Sequence, residues 1–166
     1  MEIELKKIQF SERMSEETNC FIADLYINGK NAGEAKNEGC GGPTSYYSNS
    51  REGQKLIEEA EEYCKSLPKV KYGDMEWDQS LEGIIDELLE NYLKLKEEKK
   101  RLKSMEKSIL IGIPNGLSYR VFEWRGKKLS DIPKPLLQKT IEDLRAKYCK
   151  DGAVILNTNL EKLGVK

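Results

Sequence analysis

Residues 19–37 read Asn19-Cys-Phe-Ile-Ala-Asp-Leu-Tyr-Ile-Asn28-Gly29-Lys-Asn-Ala-Gly-Glu-Ala-Lys-Asn37, and this stretch decides the fold class. Phe21, Ala23, Leu25 and Ile27 alternate with Cys20, Ile22, Asp24 and Tyr26, so residues 19–27 predict a strand with one apolar face. Asn28-Gly29 is a strong short hairpin signal, because a type I′ turn needs positive φ at both central positions. Residues 31–37 then return as a further strand. Its small residues Ala32, Gly33 and Ala35 imply that something packs closely over it. Upstream, residues 2–13 alternate well enough for a first strand, which gives a three-stranded antiparallel meander.

Directly after the hairpin comes Lys36-Asn-Glu-Gly-Cys-Gly-Gly-Pro-Thr-Ser-Tyr-Tyr-Ser48. Three glycines and a proline between Gly39 and Pro43 rule out helix and ordinary strand. Glycine loses much entropy when ordered, so a bare segment has a steric reason, either a tight fold-back or a close-lying ligand. Backbone N–H groups of such a segment can form an anion nest, here with Thr44 as a donor and Tyr46 or Tyr47 as a stacking face. The candidate ligand- or partner-binding residues are therefore Lys36, Gly39, Cys40, Gly41, Gly42, Thr44, Tyr46 and Tyr47. The spacing matches neither the phosphate loop of nucleotide triphosphatases nor the dinucleotide fingerprint. Cys40 has only Lys36 nearby in sequence to activate it, and an inert loop thiol accounts for it.

Farther along, residues 52–67 form an amphipathic helix with Leu56, Ile57, Ala60, Tyr63, Cys64 and Leu67 on one stripe, ended by Pro68. A loop at 68–77 carries Tyr72 and Trp77. A second helix starts at Asp78 or Ser80 and runs to about Lys107, with Leu81, Ile84, Ile85, Leu88, Tyr92 and Leu95 on its buried face. Unbroken, it spans roughly 40 Å. Its charged end, 94–107, either protrudes or packs on a second copy. Positions 81, 85, 88, 92, 95 and 102 approximate a heptad seam, which makes 81–107 a candidate homodimer surface. Residues 108–113 and 117–124 form a second hairpin across Pro114-Asn115-Gly116. Arg120, Phe122 and Trp124 face one way, and Leu117, Tyr119 and Val121 the other. Trp124 reads as a core edge. A third helix at 135–150 places Leu136, Leu137, Ile141, Leu144 and Tyr148 inward, with Gly152 beyond its end, and 153–157 reads as a last strand. The expected class is α+β: a mostly antiparallel sheet, the meander plus a second hairpin, with about three helices on one side, as one domain over 1–166.

Composition narrows function more than it assigns it. The 166 residues are 34% charged and 38% hydrophobic with a net charge of −1, so no global field holds nucleic acid. There is no histidine. Ser-His-Asp and Cys-His catalysis are excluded, and the common zinc sites lose their usual ligand. Cys20, Cys40, Cys64 and Cys149 lie far apart in sequence and suggest no metal site. The acidic pairs Glu61-Glu62 and Asp86-Glu87 read as solvated helix faces away from glycine or aromatic material. Lys94, Lys96, Lys99, Lys100, Arg101, Lys103 and Lys107 are interleaved with Glu97, Glu98 and Glu106, a pattern that helix ion pairs explain. No signal peptide or membrane span is visible, so a cytoplasmic protein without cofactor or membrane partner is expected.

Several segments together resemble a group of small proteins encoded by Bacteroidales phages and related mobile elements. They are FSERMSEETNCFIADLYINGK, the GCGG loop, AEEYCKSLP, KYGDMEWDQSLEGIIDELL, IPNGLSYRVFEW and VILNTNLEKLG. That group carries no assigned activity and transfers no site residue. The resemblance implies a phage accessory protein acting against host machinery. The expectation is thus a non-enzymatic binding protein that antagonises a bacterial defence system, by occluding a host protein or sequestering a small nucleotide signal. The alternative is a nucleic-acid-binding or replication accessory protein using the basic half of the long helix.

Overall fold

The computed structural model describes residues 1–73, 75–114, 116 and 118–165, apart from the Tyr72 side chain. The expected turn residue Asn115 and the face position Leu117 lie outside the described residues. Among the described residues the chain is α+β, with three α-helices and antiparallel sheets, and it forms two compact units, residues 1–93 and 94–166.

The first unit is a four-stranded antiparallel meander of β1 (Ile3–Phe10), β2 (Phe21–Ile27), β3 (Lys30–Asn37) and β4 (Ser45–Ser48), in that spatial order. The expected alternation holds along β2, where Phe21, Ala23, Leu25 and Ile27 are buried. Asn28 and Gly29 have φ of 50° and 76°, the two positive values a type I′ turn requires. Helix α1 (Arg51–Ser66) starts at Ser50, whose hydroxyl accepts from the Gly53 N–H at 2.9 Å. A Cβ at Gly53 would fall on the Ala32 carbonyl oxygen, so the small residues of β3 mark a close helix approach. Helix α2 (Leu81–Met105) is capped by Ser80 and adds Leu81, Ile85 and Leu89 to the same core as Ile57, Ala60 and Cys64.

Two departures from the sequence pattern occur in this unit. The meander has four strands instead of three, because Ser45–Ser48 pairs with Gly33 to Lys36. A four-residue strand is too short for its alternation to stand out. The expected loop at 68–77 contains a short hairpin, β5 (Val70–Tyr72) paired with β6 (Met75–Trp77).

The second unit takes the end of α2, then β7 (Ser108–Gly112), β8 (Tyr119–Glu123), α3 (Lys134–Tyr148) and β9 (Val154–Ile155), with sheet order β8-β7-β9. All five residues of central β7 are buried. Its core joins Ile109 and Ile111 to Leu129, Leu137, Ile141 and Leu160, with Phe122 and Trp124 packed at the margin. Trp124 is thus a core edge, as alternation implied. Asn157 extends the strand pairing with its side chain: the Leu110 N–H donates to Oδ1 at 2.7 Å, and Nδ2 donates to the Ser108 carbonyl at 2.8 Å. Asn159 Nδ2 donates to the Met105 carbonyl at 2.8 Å and so satisfies an end group of α2.

Three expected positions differ here. Leu136 and Leu95, assigned inward, are 50% and 57% exposed. Helix periodicity shows that a stripe exists, but not which stretch of the stripe meets a core: α2 buries residues near both ends while its 94–100 stretch is exposed. Gly152 does not close α3, which ends at Tyr148. With φ of 85°, after Asp151 at 54°, it forms the turn into β9. Residues 94–100 of α2 are exposed along their whole length, whereas Met105 is buried.

Candidate functional site

The Gly-rich segment joins β3 to β4, and its shape is organised by one side chain. Asn37, the last residue of β3, is 8% exposed. Its Oδ1 accepts from the Thr18 hydroxyl at 2.8 Å and from the Gly39 N–H at 2.9 Å. Its Nδ2 donates to the Gly42 carbonyl at 2.9 Å and to Thr44 Oγ1 at 3.2 Å. Gly39 has φ of 87°, and a Cβ there would fall on the Met14 carbonyl oxygen. The Gly39 carbonyl itself accepts from the N–H groups of Glu16, Glu17 and Thr18 at 2.9, 3.0 and 3.3 Å. The glycine thus serves a tight fold-back in which the loop locks against residues 14–18.

The loop is also tied to α2. The Thr44 hydroxyl donates to Asp86 Oδ1 at 2.6 Å, and the Thr44 N–H donates to Glu82 Oε1 at 3.1 Å. Glu82, Asp86 and Glu90 follow at helical spacing and line a cleft of about 320 Å³ beside Gly41, Gly42 and Thr44. Burial raises the Asp86 carboxyl above its ordinary range; the Thr44 hydroxyl opposes this, and the charges of Glu82 and Glu90 reinforce it. Such a cleft repels phosphate. Two loop amides are already spent internally, since the Gly41 N–H donates to Thr18 Oγ1 at 3.3 Å and that of Gly39 to Asn37. Asp86 and Glu61 both correct the expectation of acidic pairs standing apart from glycine and aromatic groups. Tyr46 O–H donates to Glu61 Oε1 at 2.7 Å. Burial above all, and then Glu61, pushes the Tyr46 phenol up to about 12.

The eight candidate residues therefore divide. Gly39 and Thr44 are buried in the framework, and Tyr46 is half-buried and turned to α1. Gly41 is exposed and lines the acidic cleft, while Lys36, Cys40, Gly42 and Tyr47 line an outer recess of about 310 Å³, with the Lys36 ammonium 5.7 Å from the Tyr47 ring centroid. Lys36 and Cys40 are shared with a neighbouring, more apolar groove of about 620 Å³ walled by Phe10, Met14, Phe21 and Ile22. Met14 and Tyr47 are 59% and 56% exposed. Sequence reasoning missed Thr18, Asn37, Met14 and Glu82. For Glu82 a signal existed, because 82, 86 and 90 share one helix face, and for Asn37 a local one, an Asx turn to the Gly39 N–H; Thr18 and Met14 meet the loop only from about 20 or more positions away in sequence. All four cysteines are free, and among the described residues no group of three or more His, Cys, Asp or Glu side chains is placed to hold a metal ion. Among those residues no helix is long and apolar enough to cross a membrane.

Comparison of the chain with protein-family models, with curated proteins and with solved structures returned no significant match.

Proposed function

We propose that this is a non-catalytic binding protein that occludes another protein through the outer face of the β3–β4 loop, with Met14, Ile22, Cys40 and Tyr47 as its contact surface. One observation carries this reading: Asn37, Thr18 and α2 engage Gly39, Gly42 and Thr44 of the loop inward, while Met14, Ile22, Cys40 and Tyr47 are left outward beside Lys36 and Glu38. A surface of that composition on a braced loop suits protein association, where aromatic and methionine side chains are favoured contacts. The resemblance to phage-encoded proteins supplies the setting, an antagonist of a bacterial defence system acting in the host cytoplasm on a host protein.

The nucleotide version of the loop has less support, because Gly39 and Gly41 have used their N–H groups and three carboxylates stand beside them. Pairing of two copies through 81–107 also has less support, since Leu81 and Ile85 are buried in the chain's own core. Capture from host lysate, compared among wild type, Met14→Asp and Tyr47→Asp, tests the reading. Retention of a host protein by wild type and its loss in both variants is the expected result. A nucleotide whose binding disappears with Lys36→Ala and Tyr47→Ala would move the ligand onto the loop and overturn it. DNA or RNA binding that weakens steeply with salt would instead favour the basic helix end.

A further inference from the structure

The second unit carries a recess that the proposed docking face does not use. It has a volume of about 480 Å³ and is walled by Gly112, Ser118, Tyr119 and Arg120 from the β7–β8 side and by Tyr148 and Ala153. That volume lies within the range of small-molecule sites, and among the described residues no carboxylate lines it. The Arg120 guanidinium lies 5.2 Å from the Tyr148 ring centroid, and the Lys147 ammonium also lies 5.2 Å from it. The Phe122 ring, 4.9 Å away centroid to centroid, buttresses Tyr148.

Neither cation forms an ion pair among the described residues. Lys147 in the last turn of α3 complements the carbonyl end of that helix, which is reason enough for one positive charge there. Arg120 arrives from β8, and the helix end does not call for it. The Tyr148 ring compensates only part of the Arg120 charge. A doubly charged anion offsets more, and a guanidinium fork suits phosphate geometry.

We propose that this recess binds a flat-ringed organic phosphate, with Arg120 facing the phosphate and Tyr119 the planar group, while Tyr148 orients Arg120. Gly112 carries no side chain where a Cβ would press on the Ser118 carbonyl and Tyr119 of the adjacent strand. This site is independent of the docking face: substitutions at Met14 or Tyr47 leave it intact, and loss of Arg120 leaves protein capture intact.

The test is an amide-resolved NMR titration of the full chain with adenosine 5′-monophosphate, phenyl phosphate, adenosine and inorganic phosphate at matched ionic strength. The two organic phosphates are expected to shift the Gly112, Tyr119 and Arg120 amides saturably. Adenosine and inorganic phosphate, each lacking one half of the recognition, are expected to bind about tenfold or more weakly. Saturation by phenyl phosphate alone upholds the site and limits it to single rings; saturation by the nucleotide extends it. Arg120→Gln is expected to weaken binding about 10- to 100-fold, and Tyr119→Leu to weaken it with the remaining spectrum unchanged. Absence of saturation by about 10 mM, equal affinity for inorganic phosphate, or shifts that survive Arg120→Gln would overturn the proposal.

Discussion

Replacing Asn37 by alanine removes four hydrogen bonds from the loop at once, and the cost can be built from where each partner is left. The Gly39 N–H is buried and has no second acceptor among the described residues. Leaving it unpaired costs about 1–3 kcal/mol. Thr18 is half-buried, and its hydroxyl loses an acceptor worth about 0.5–1 kcal/mol. Gly42 is exposed, so water replaces Nδ2 at its carbonyl with little loss. Thr44 keeps Asp86. The expected total is about 1.5–4 kcal/mol, a substantial share of the roughly 5–15 kcal/mol by which a typical domain is stable. Asn37→Asp separates the two halves of the amide: it keeps both accepted bonds, loses both donated ones, and sets a carboxylate against Thr44 Oγ1. Its deficit at neutral pH should shrink when the new carboxyl is protonated. Urea unfolding gives the free energy, and amide exchange at Gly39 and Gly41 reports whether the loss is local to the loop. A shift under about 0.5 kcal/mol with unchanged protection at Gly39 would refute the claim that this side chain holds the loop in shape.

Three further outcomes follow from the same framework. Gly39→Ala should destabilise by at least about 2 kcal/mol, because a positive φ and a clash with the Met14 carbonyl coincide there; Gly42→Ala, with nothing within 4 Å of its added carbon, should stay within about 0.5 kcal/mol in the same urea assay. The raised Tyr46 phenol means that the unfolded chain releases this proton before the folded chain does, so its contribution is intact below pH 10 and lost as pH climbs toward about 12. Tyr46→Phe should flatten that part of the stability–pH curve, and identical curves for the two proteins would contradict the assignment. Asp86→Asn keeps the acceptor for Thr44 while removing the charge that Glu82 and Glu90 repel, so thermal unfolding at pH 7 should show a gain of about 0.5–1 kcal/mol that disappears in acid.

What could be seen in the chain beforehand was whatever depends on near neighbours. Asn28-Gly29 specified its turn, the 21–27 alternation its buried face, and Ser80, one of two candidates, the start of its helix, because each signal lies within a few residues. Ser45–Ser48 escaped because four residues carry too little periodicity, and because its glycine-rich approach hid its pairing with β3. The division into two units falls inside α2, where an uninterrupted helical pattern offers no mark. At the candidate site the loop was conspicuous, yet its organiser was not. Asn37 offers only its local turn to the Gly39 N–H until Thr18, 19 positions earlier, and Thr44 close on it. The side chains that face solvent, Met14 and Ile22, come from segments with no chemical signature of their own.

The central claim is that the braced loop presents a face for another protein. Its most direct measurement is quantitative capture of host proteins by wild type, Met14→Asp, Tyr47→Asp and Arg120→Gln, each first shown to be folded. The account predicts one host protein held by wild type and Arg120→Gln and released by both loop-face variants. Equal retention by all four proteins would contradict it.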